Sequence, residues 1–234
     1  MQIAIDTSTN IAGLALMDEG KLVAELTWNC RQNHSAQLLS SLSYLLEKSG
    51  MTIQSADCII VARGPGSYNG LRVGLSTAKG IAFSLDIPLI GISTLEAEAW
   101  QHAETGLPVC PVLNAGREEI ATALYRMQDG EWLQLVEEHL STVESLCSEI
   151  KEKTVFCGEF LPSVADELKE RLMEKAVIVS PVSGLRRAGF LAELGLKRFG
   201  AGDYDNPTTL QPSYFRGPPI SSPKPGKKSP ENSR

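Results

Sequence analysis

The first candidate for chemistry is a polar run, Asp6-Thr7-Ser8-Thr9, which follows an apolar segment near the N-terminus. Carboxylate and hydroxyl oxygens at the end of a strand could hold Mg²⁺ and phosphate oxygens. The same side chains also shape turns, because they bond to nearby backbone N–H groups. A phosphate cradle usually includes a glycine, and none lies between Asp6 and Ile11. The pattern therefore favours a turn, and Asp6, Thr7 and Ser8 are weak candidates for a nucleotide contact.

The second candidate is a glycine-rich loop at 64–70 (GPGSYNG), between a predicted strand and a predicted helix. Backbone N–H groups at a helix N-terminus can bind anions, so Gly64 and Gly66 are further weak candidates for a nucleotide contact. The loop lacks the Gly-Lys-Ser/Thr ending of a Walker A motif, and Asn69 stands where G-x-G-x-x-G needs its third glycine. A rigid turn from strand to helix explains the glycines and the proline equally well.

Groups for acid–base, nucleophilic or metal chemistry are scarce. The three histidines, His34, His102 and His139, are not paired at metal-binding spacing. Cys30 lies four residues before His34, but such a pair without a third, orienting group is weak evidence for a nucleophile. The sequence shows no nucleophile–base–orienter set, which disfavours a peptidase. We therefore predict no catalytic residue, no metal site and no cofactor.

Two predicted helices, at 35–49 and about 70–85, carry few charges, and the only charged residues of the second are Arg72 and Lys79. Solvated helix faces normally carry Lys and Glu, whereas interface cores are depleted in charge. Burial within the chain and contact with a partner explain the pattern about equally well. The residues predicted to meet a partner are Leu38, Leu42, Leu45, Leu71, Gly74, Leu75, Ala78 and Ala82. On that hypothesis, a large charged residue at Ala78 blocks pairing and leaves the monomer folded.

Composition limits the class of protein. The chain has 234 residues, of which 42% are hydrophobic and 21% charged, as is typical of a globular protein. Its net charge of −6 offers nucleic acid no overall attraction. No apolar run is long enough to predict a transmembrane helix, and no signal peptide is expected. The five widely spaced cysteines indicate reduced thiols in a cytoplasmic protein.

The elements that must position these candidates follow the same order twice. The first half predicts strands at 2–6, 11–17 and 21–28, a helix at 35–49, a strand at 57–62, a helix at about 70–85, a strand at 88–92 and a helix from Ser93 to about 104. The second predicts strands at 109–114, 119–126 and 131–136, a helix to about 153, a strand at 154–157, a helix at about 160–174, a strand at 177–179 and a helix at about 184–199. This duplicated βββαβα order predicts an α/β fold of two lobes, with a cleft between them.

We expect an N-terminal lobe at 1–105 and a C-terminal lobe at 106–216, whose residues 212–216 form a last short strand. Residues 217–234 contain five prolines and four serines without an apolar period, which predicts a flexible tail. Four basic residues and one acidic residue give this tail a charge of +3, which leaves −9 for the body.

The chain resembles the TsaB (YeaZ) family of bacterial tRNA threonylcarbamoyladenosine biosynthesis proteins. The matching stretches are 5–9, 31–39, 64–74 with 78–80, 87–96 and 212–216, which span nearly the whole chain before the tail. The run from 64 to 80 is highly specific, and the other stretches are supportive. Tyr68, Asn69 and Asn114 depart from the residues most frequent in the family, without disturbing the assignment.

The resemblance implies a two-lobed actin-like and Hsp70-like ATPase fold and kinship with TsaD, the catalytic subunit of a tRNA-modifying complex. With TsaE, an ATPase, that complex transfers a threonylcarbamoyl group to N6 of adenosine 37 in tRNA. TsaD carries a His-x-x-x-His metal pair where this chain has Thr94 and Glu98, and without both imidazoles a metal site loses its affinity.

On this resemblance we expect a non-catalytic scaffold subunit that binds TsaD through its N-lobe helices. The same surface is expected to form a homodimer when the chain is alone. Contact with tRNA is expected only through the complex, and no contact with a membrane is expected. The alternative function is a nucleotide-binding ATPase that uses Asp6 and the loop at 64–70.

Overall fold

The apolar segments predicted as strands form two five-stranded sheets in the computed structural model, which describes residues 1–31 and 33–215. The first sheet contains β1 (Gln2–Asp6), β2 (Ile11–Asp18), β3 (Lys21–Asn29), β4 (Cys58–Gly64) and β5 (Leu89–Ser93), in the order β3-β2-β1-β4-β5. The second contains β6 (Val109–Gly116), β7 (Glu119–Gln128), β8 (Glu131–Ser141), β9 (Thr154–Cys157) and β10 (Ala176–Ile178), in the order β10-β9-β6-β7-β8. Each sheet pairs its first three strands antiparallel and adds two parallel strands, so the predicted duplication is confirmed.

Helical segments follow the strands in the predicted order. They are α1 (His34–Lys48), α2 (Tyr68–Leu85), α3 (Thr94–Trp100), α4 (Val143–Glu149), α5 (Leu161–Leu172) and α6 (Ala188–Gly200). The hydroxyl of Ser93 caps α3 by accepting from the backbone N–H groups of Leu95 and Glu96. This helix is shorter than predicted, because it ends at Trp100 and a separate 3₁₀ turn follows at Ala103–Thr105. No helix in the described part of the chain is long and apolar enough to cross a membrane.

The apolar stripes of α1 and α2 face the first sheet of the same chain. All eight residues predicted to meet a partner are buried: Leu38, Leu42, Leu45, Leu71, Gly74, Leu75, Ala78 and Ala82. Most of them pack in one core cluster with Ile3, Ile5 and Ile59, because burial of a stripe against the sheet removes apolar surface from water. The prediction was therefore wrong for these side chains. Ala78 is 0% exposed, so a large charged residue there would have to enter the core.

Close packing also explains one glycine of α2. A Cβ atom at Gly74 would lie 2.2 Å from Thr7 Oγ1, so only glycine lets the helix approach the end of β1 this closely. The small residues that the sequence presents on α2 therefore serve helix–sheet packing.

The third helix of each half packs against the other half. Helix α3 follows β5 of the first sheet but contacts β6 and β7 of the second, and α6 follows β10 but covers β1, β2 and β5. Helices α3 and α6 also contact each other. The two sheets are thus joined by exchanged helices, and the lobe limits 1–105 and 106–216 remain a prediction.

The segment after α6 docks on the first lobe without forming a strand. The backbone N–H of Ser213 donates to the carbonyl oxygen of Arg63 at 2.7 Å, and the rings of Tyr214 and Tyr68 lie 5.1 Å apart. The predicted strand is therefore wrong for 212–215, because a single backbone hydrogen bond holds the segment there. Arg216 and the predicted tail at 217–234 lie outside the described residues.

Candidate functional site

The end of β1 lies beside a buried arginine that the sequence analysis missed. The side chain of Arg186, which precedes α6, is 1% exposed. Its Nε lies 2.5 Å from Asp6 Oδ2, its Nη1 lies 3.3 Å from Glu98 Oε2, and its Nη2 lies 3.1 Å from Glu159 Oε1. These carboxylates come from β1, from α3 and from the loop between β9 and α5. One guanidinium therefore ties together the elements on both sides of the cleft.

The polar run after β1 forms the turn that its residue types favour. Asp6 Oδ1 accepts from the backbone N–H of Ser8 at 2.9 Å and from its hydroxyl at 2.6 Å. Arg186 Nη2 also donates to Ser8 Oγ at 3.0 Å and to Thr9 Oγ1 at 3.1 Å. Both oxygens of Asp6 are thus hydrogen-bonded within the chain, as expected for a buried carboxylate.

The glycine-rich loop packs directly on this turn. The backbone N–H of Ser67 donates to the carbonyl oxygen of Ser8 at 2.6 Å, and Thr7 Oγ1 donates to the carbonyl oxygen of Gly70 at 2.8 Å. A Cβ atom at Gly66 would lie only 2.1 Å from Ser8 O. The loop needs its glycine here because the two backbones touch.

Gly64 is required for a related reason. Its φ of +111° is a conformation that L side chains rarely adopt, and a Cβ atom would lie 2.6 Å from the carbonyl oxygen of Ser213. The fold thus brings all five nucleotide candidates, Asp6, Thr7, Ser8, Gly64 and Gly66, to one place. Their contacts are made within the chain, and a nucleotide contact at these residues remains a prediction.

A cavity of about 560 Å³ opens between the lobes beside the glycine-rich loop. Gly66, Ser67 and Tyr68 line it from the first lobe, and residues 113–116 and Glu159 line it from the second. The end of β6 is thus a wall of the cleft.

Cys30 and His34 meet, but their hydrogen bonds do not suit a nucleophile and its base. His34 Nε2 lies 2.8 Å from the carbonyl oxygen of Thr9, which can only accept, so this nitrogen carries the proton. Cys30 Sγ lies 3.0 Å from the same nitrogen and donates to the carbonyl oxygen of Asn10 at 3.1 Å. A protonated Nε2 cannot take the thiol proton. The pair instead anchors α1 to the turn after β1.

The chain is similar to proteins named TsaD and TsaB over most of its length. The family model TsaD, tRNA N6-adenosine threonylcarbamoyltransferase, matches residues 26–171. The tRNA threonylcarbamoyladenosine biosynthesis protein TsaB of Bacillus subtilis is 31% identical over 217 residues, which cover 92% of this chain and 93% of the relative. The chain belongs to the TsaB (YeaZ) family. TsaB of Escherichia coli is 31% identical over 134 residues, 56% of this chain and 57% of the relative.

Solved structures agree with this membership. YeaZ from Pseudomonas aeruginosa is 25% identical and superposes with a TM-score of 0.79 over 92% of this chain and 99% of that structure. The ROK hexokinase of Thermus thermophilus, at 11% identity, superposes with a TM-score of 0.51 over 83% of this chain and 98% of its own. The hexokinase shares the fold alone, which is the predicted actin-like ATPase fold.

In this TsaB-family chain, burial and neighbouring charges shift the pKa values of Glu98 and Arg186. Burial raises the pKa of Glu98 to about 8; Arg186 opposes this rise, while Glu159 and Asp6 add to it. Burial lowers the pKa of Arg186, but Asp6, Glu159 and Glu98 together raise it by more. Burial therefore favours the protonated form of Glu98.

Thr94 and Glu98, which the resemblance aligns with the histidines of TsaD, lie on α3 and are both 0% exposed. Glu98 binds Arg186, while Thr94 Oγ1 has no hydrogen-bond partner among the described residues. Within residues 1–31 and 33–215, no group of three His, Cys, Asp or Glu side chains could hold a metal ion.

Proposed function

We propose that this chain is a non-catalytic subunit of the complex that makes threonylcarbamoyladenosine in tRNA, and that it binds and supports TsaD. The observation that carries the proposal is an exposed surface on α1 and α2, here called the outer face, that is poor in charge: the exposed charged residues of the two helices are Glu47, Lys48 and Arg72. Its residues are Ala36, Leu39, Ser40, Ser43, Tyr44, Ser76, Gly80, Phe83 and Ser84. The outer face lies on the side of α1 and α2 that points away from the first sheet.

The outer face is unusual for a solvated surface. Phe83 is 85% exposed and Leu39 is 58% exposed, although burial of such side chains is favourable. The helices contact each other and cover the same face of the sheet, so their outer sides form one surface. Exposed apolar residues on a surface depleted in charge are typical of a protein interface.

The cleft supports a non-catalytic role. Asp6, Glu98 and Glu159 all pair with Arg186, so these carboxylates are not free to act as a general base. A rigid internal ion-pair cluster suits a subunit that supports an active partner.

Phe83→Asp tests the proposed contact with TsaD. We expect the variant to fold like the wild type, because Phe83 is 85% exposed, and to bind TsaD at least ~30-fold more weakly, as for an interface hot spot. The matched control is Val182→Asp, since Val182 is also 85% exposed but lies outside α1 and α2. Calorimetric titration with TsaD measures both. Equal affinity of the two variants would place the contact elsewhere, and modified adenosine made by the chain alone would overturn the non-catalytic role.

The proposal extends to the remaining partners. In the absence of TsaD the outer face pairs two copies of this chain around a twofold axis, so Phe83→Asp should also be monomeric in sedimentation. TsaE joins the assembly with TsaD, and tRNA is bound through the complex.

A nucleotide site in the cleft is the second candidate function. The observation in its favour is the cavity of about 560 Å³, which lies beside Ser67 and Tyr68 at the N-terminus of α2. Against it, Asp6 is already paired with Arg186. Calorimetric titration of the isolated chain with ATP and Mg²⁺ tests this second candidate function. Tight binding would support the ATPase alternative.

A further inference from the structure

A second cavity, of about 370 Å³, lies where the end of β5 meets the β7–β8 hairpin. Arg63, Ser93 and Glu96 line it from the first lobe, and Tyr125, Trp132 and Glu138 are among the residues that line it from the second. It shares no lining residue with the cleft beside the glycine-rich loop. The cavity is therefore a separate place where both lobes meet.

Two charged groups of this cavity make no direct bond to another side chain that the structure describes. Within residues 1–31 and 33–215, the guanidinium of Arg63 and the carboxylate of Glu96 make no hydrogen bond and no ion pair, although both residues are only partly exposed. Burial, followed by Glu138, raises the pKa of Glu96, and Arg63, Arg198 and Lys197 oppose this rise by attraction at longer range. The last two of these cations are also held by other groups. Arg198 pairs with Asp203 and Asp205, and Lys197 Nζ lies 3.5 Å from the centroid of the Trp100 ring. Because Arg63 and Glu96 attract each other without a hydrogen bond or an ion pair, their donor and acceptor atoms remain available to a ligand.

Glu138 is fixed in place with one oxygen to spare. Its Oε1 accepts from the hydroxyl of Ser93 and from Tyr125 Oη, the latter at 3.1 Å. No side chain or backbone group in the described part of the chain donates to its Oε2. Because Ser93 belongs to the first sheet and Tyr125 to the second, this carboxylate is positioned by both lobes.

An aromatic wall completes the cavity. The rings of Tyr125 and Trp132 are stacked, with centroids 5.5 Å apart and planes 3° from parallel. Trp100 meets Trp132 edge-on at 5.1 Å. Such a wall offers apolar contact to a side chain and a favourable surface to a cation.

We propose that this cavity binds a free α-amino acid. Arg63 pairs with the ligand's carboxylate, Glu96 and the free oxygen of Glu138 pair with its ammonium group, and the aromatic wall contacts its side chain. An anion alone would be repelled by the two glutamates, and a cation alone by Arg63, whereas a zwitterion satisfies both charges. A volume of about 370 Å³ is within the range of small-molecule sites.

This site is independent of the proposed pairing with TsaD, and its test needs only the isolated full-length chain. Each of the standard amino acids is titrated calorimetrically, followed by the amide and the N-acetyl form of the tightest binder. We expect each modified form, which lacks one charge, to bind about 10- to 100-fold more weakly. Arg63→Met and Glu96→Gln should lower the affinity for the unmodified amino acid by the same factor.

Matched controls are Arg72→Met and Glu170→Gln, because both residues are exposed and lie outside the cavity. Their affinity should equal that of the wild type, and thermal melts verify that all four variants are folded. The proposal is overturned if no amino acid binds at concentrations of about 10 mM. It is also overturned if Arg63→Met and Glu96→Gln bind as well as the controls, or if the amide binds as well as the amino acid.

Discussion

The proton on Glu98 links the stability of this chain to pH. The folded chain holds this carboxyl with a pKa raised to about 8 from an ordinary value of 4.5, chiefly because Glu98 is buried. The groups that face it are Arg186, Glu159 and Asp6, together with Gln101, whose amide donates to Glu98 Oε1 at 3.2 Å. Replacement by glutamine keeps the shape of the side chain and removes the ionisable group.

The sign follows from proton binding. Between about pH 5 and pH 8 the folded chain keeps the proton of Glu98, while the unfolded chain releases it, so the folded state binds more protons. The contribution of Glu98 to stability is therefore fully present below the unfolded pKa and is lost as pH rises through the folded pKa. The slope from this one carboxyl is at most about 1.4 kcal/mol per pH unit.

The assay is urea unfolding followed by tryptophan fluorescence at several pH values between about 5 and 8.5. We expect the free energy of unfolding of Glu98→Gln to depend less steeply on pH than that of the wild type, by up to about 1.4 kcal/mol per unit. Glu170→Gln, on the exposed side of α5, should reproduce the wild-type slope. Equal slopes for wild type and Glu98→Gln would show that Glu98 is ionised in the folded chain, which would refute this reasoning.

Two further predictions concern the packing around the cleft. Arg186→Met should lower the free energy of unfolding by about 3–5 kcal/mol, because buried carboxylates lose their cation; Arg187→Met, which breaks a half-exposed ion pair, should cost no more than about 1 kcal/mol in the same urea titration. Gly66→Ala should cost about 1–3 kcal/mol in a thermal melt, since its Cβ would lie 2.1 Å from Ser8 O. Gly80→Ala, in α2 with nothing within 4 Å of the new Cβ, should be neutral or stabilising, and an equal loss at both positions would contradict the proposed role of the contact at Gly66.

The repeated element order could be predicted because the hydrophobic period depends only on neighbouring residues. The direction in which α1 and α2 face could not, because burial against the chain's own sheet and burial against a partner leave the same apolar stripe. The sequence therefore predicts Leu38 and Ala78 to be interface residues, although the structure places them in the core. The outer face shows in the sequence only as missing charge, and Phe83 is recognised as exposed only once the helix is placed on the sheet.

The role of Arg186 could not be predicted from the sequence either, but the reason is different. The sequence presents Arg186 and Arg187 as equivalent neighbours before a helix, yet their side chains are 1% and 50% exposed. The partners that bury Arg186 lie far away in the chain, with Asp6 separated from it by 180 residues. A contact of that range depends on the exchange of α3 and α6 between the lobes, which no local pattern encodes.

The same contact gives the polar residues after β1 their role. A carboxylate and two hydroxyls at the end of a strand suit a phosphate or a metal ion only while their oxygens are free. In this TsaB-family chain Asp6 is bound by Arg186 and by Ser8, and Glu98 meets the same guanidinium from α3. These groups join the two lobes in this chain. A chain whose polar cluster holds its own halves together is suited to present a fixed surface, which is the property that the proposed binding of TsaD through the outer face requires.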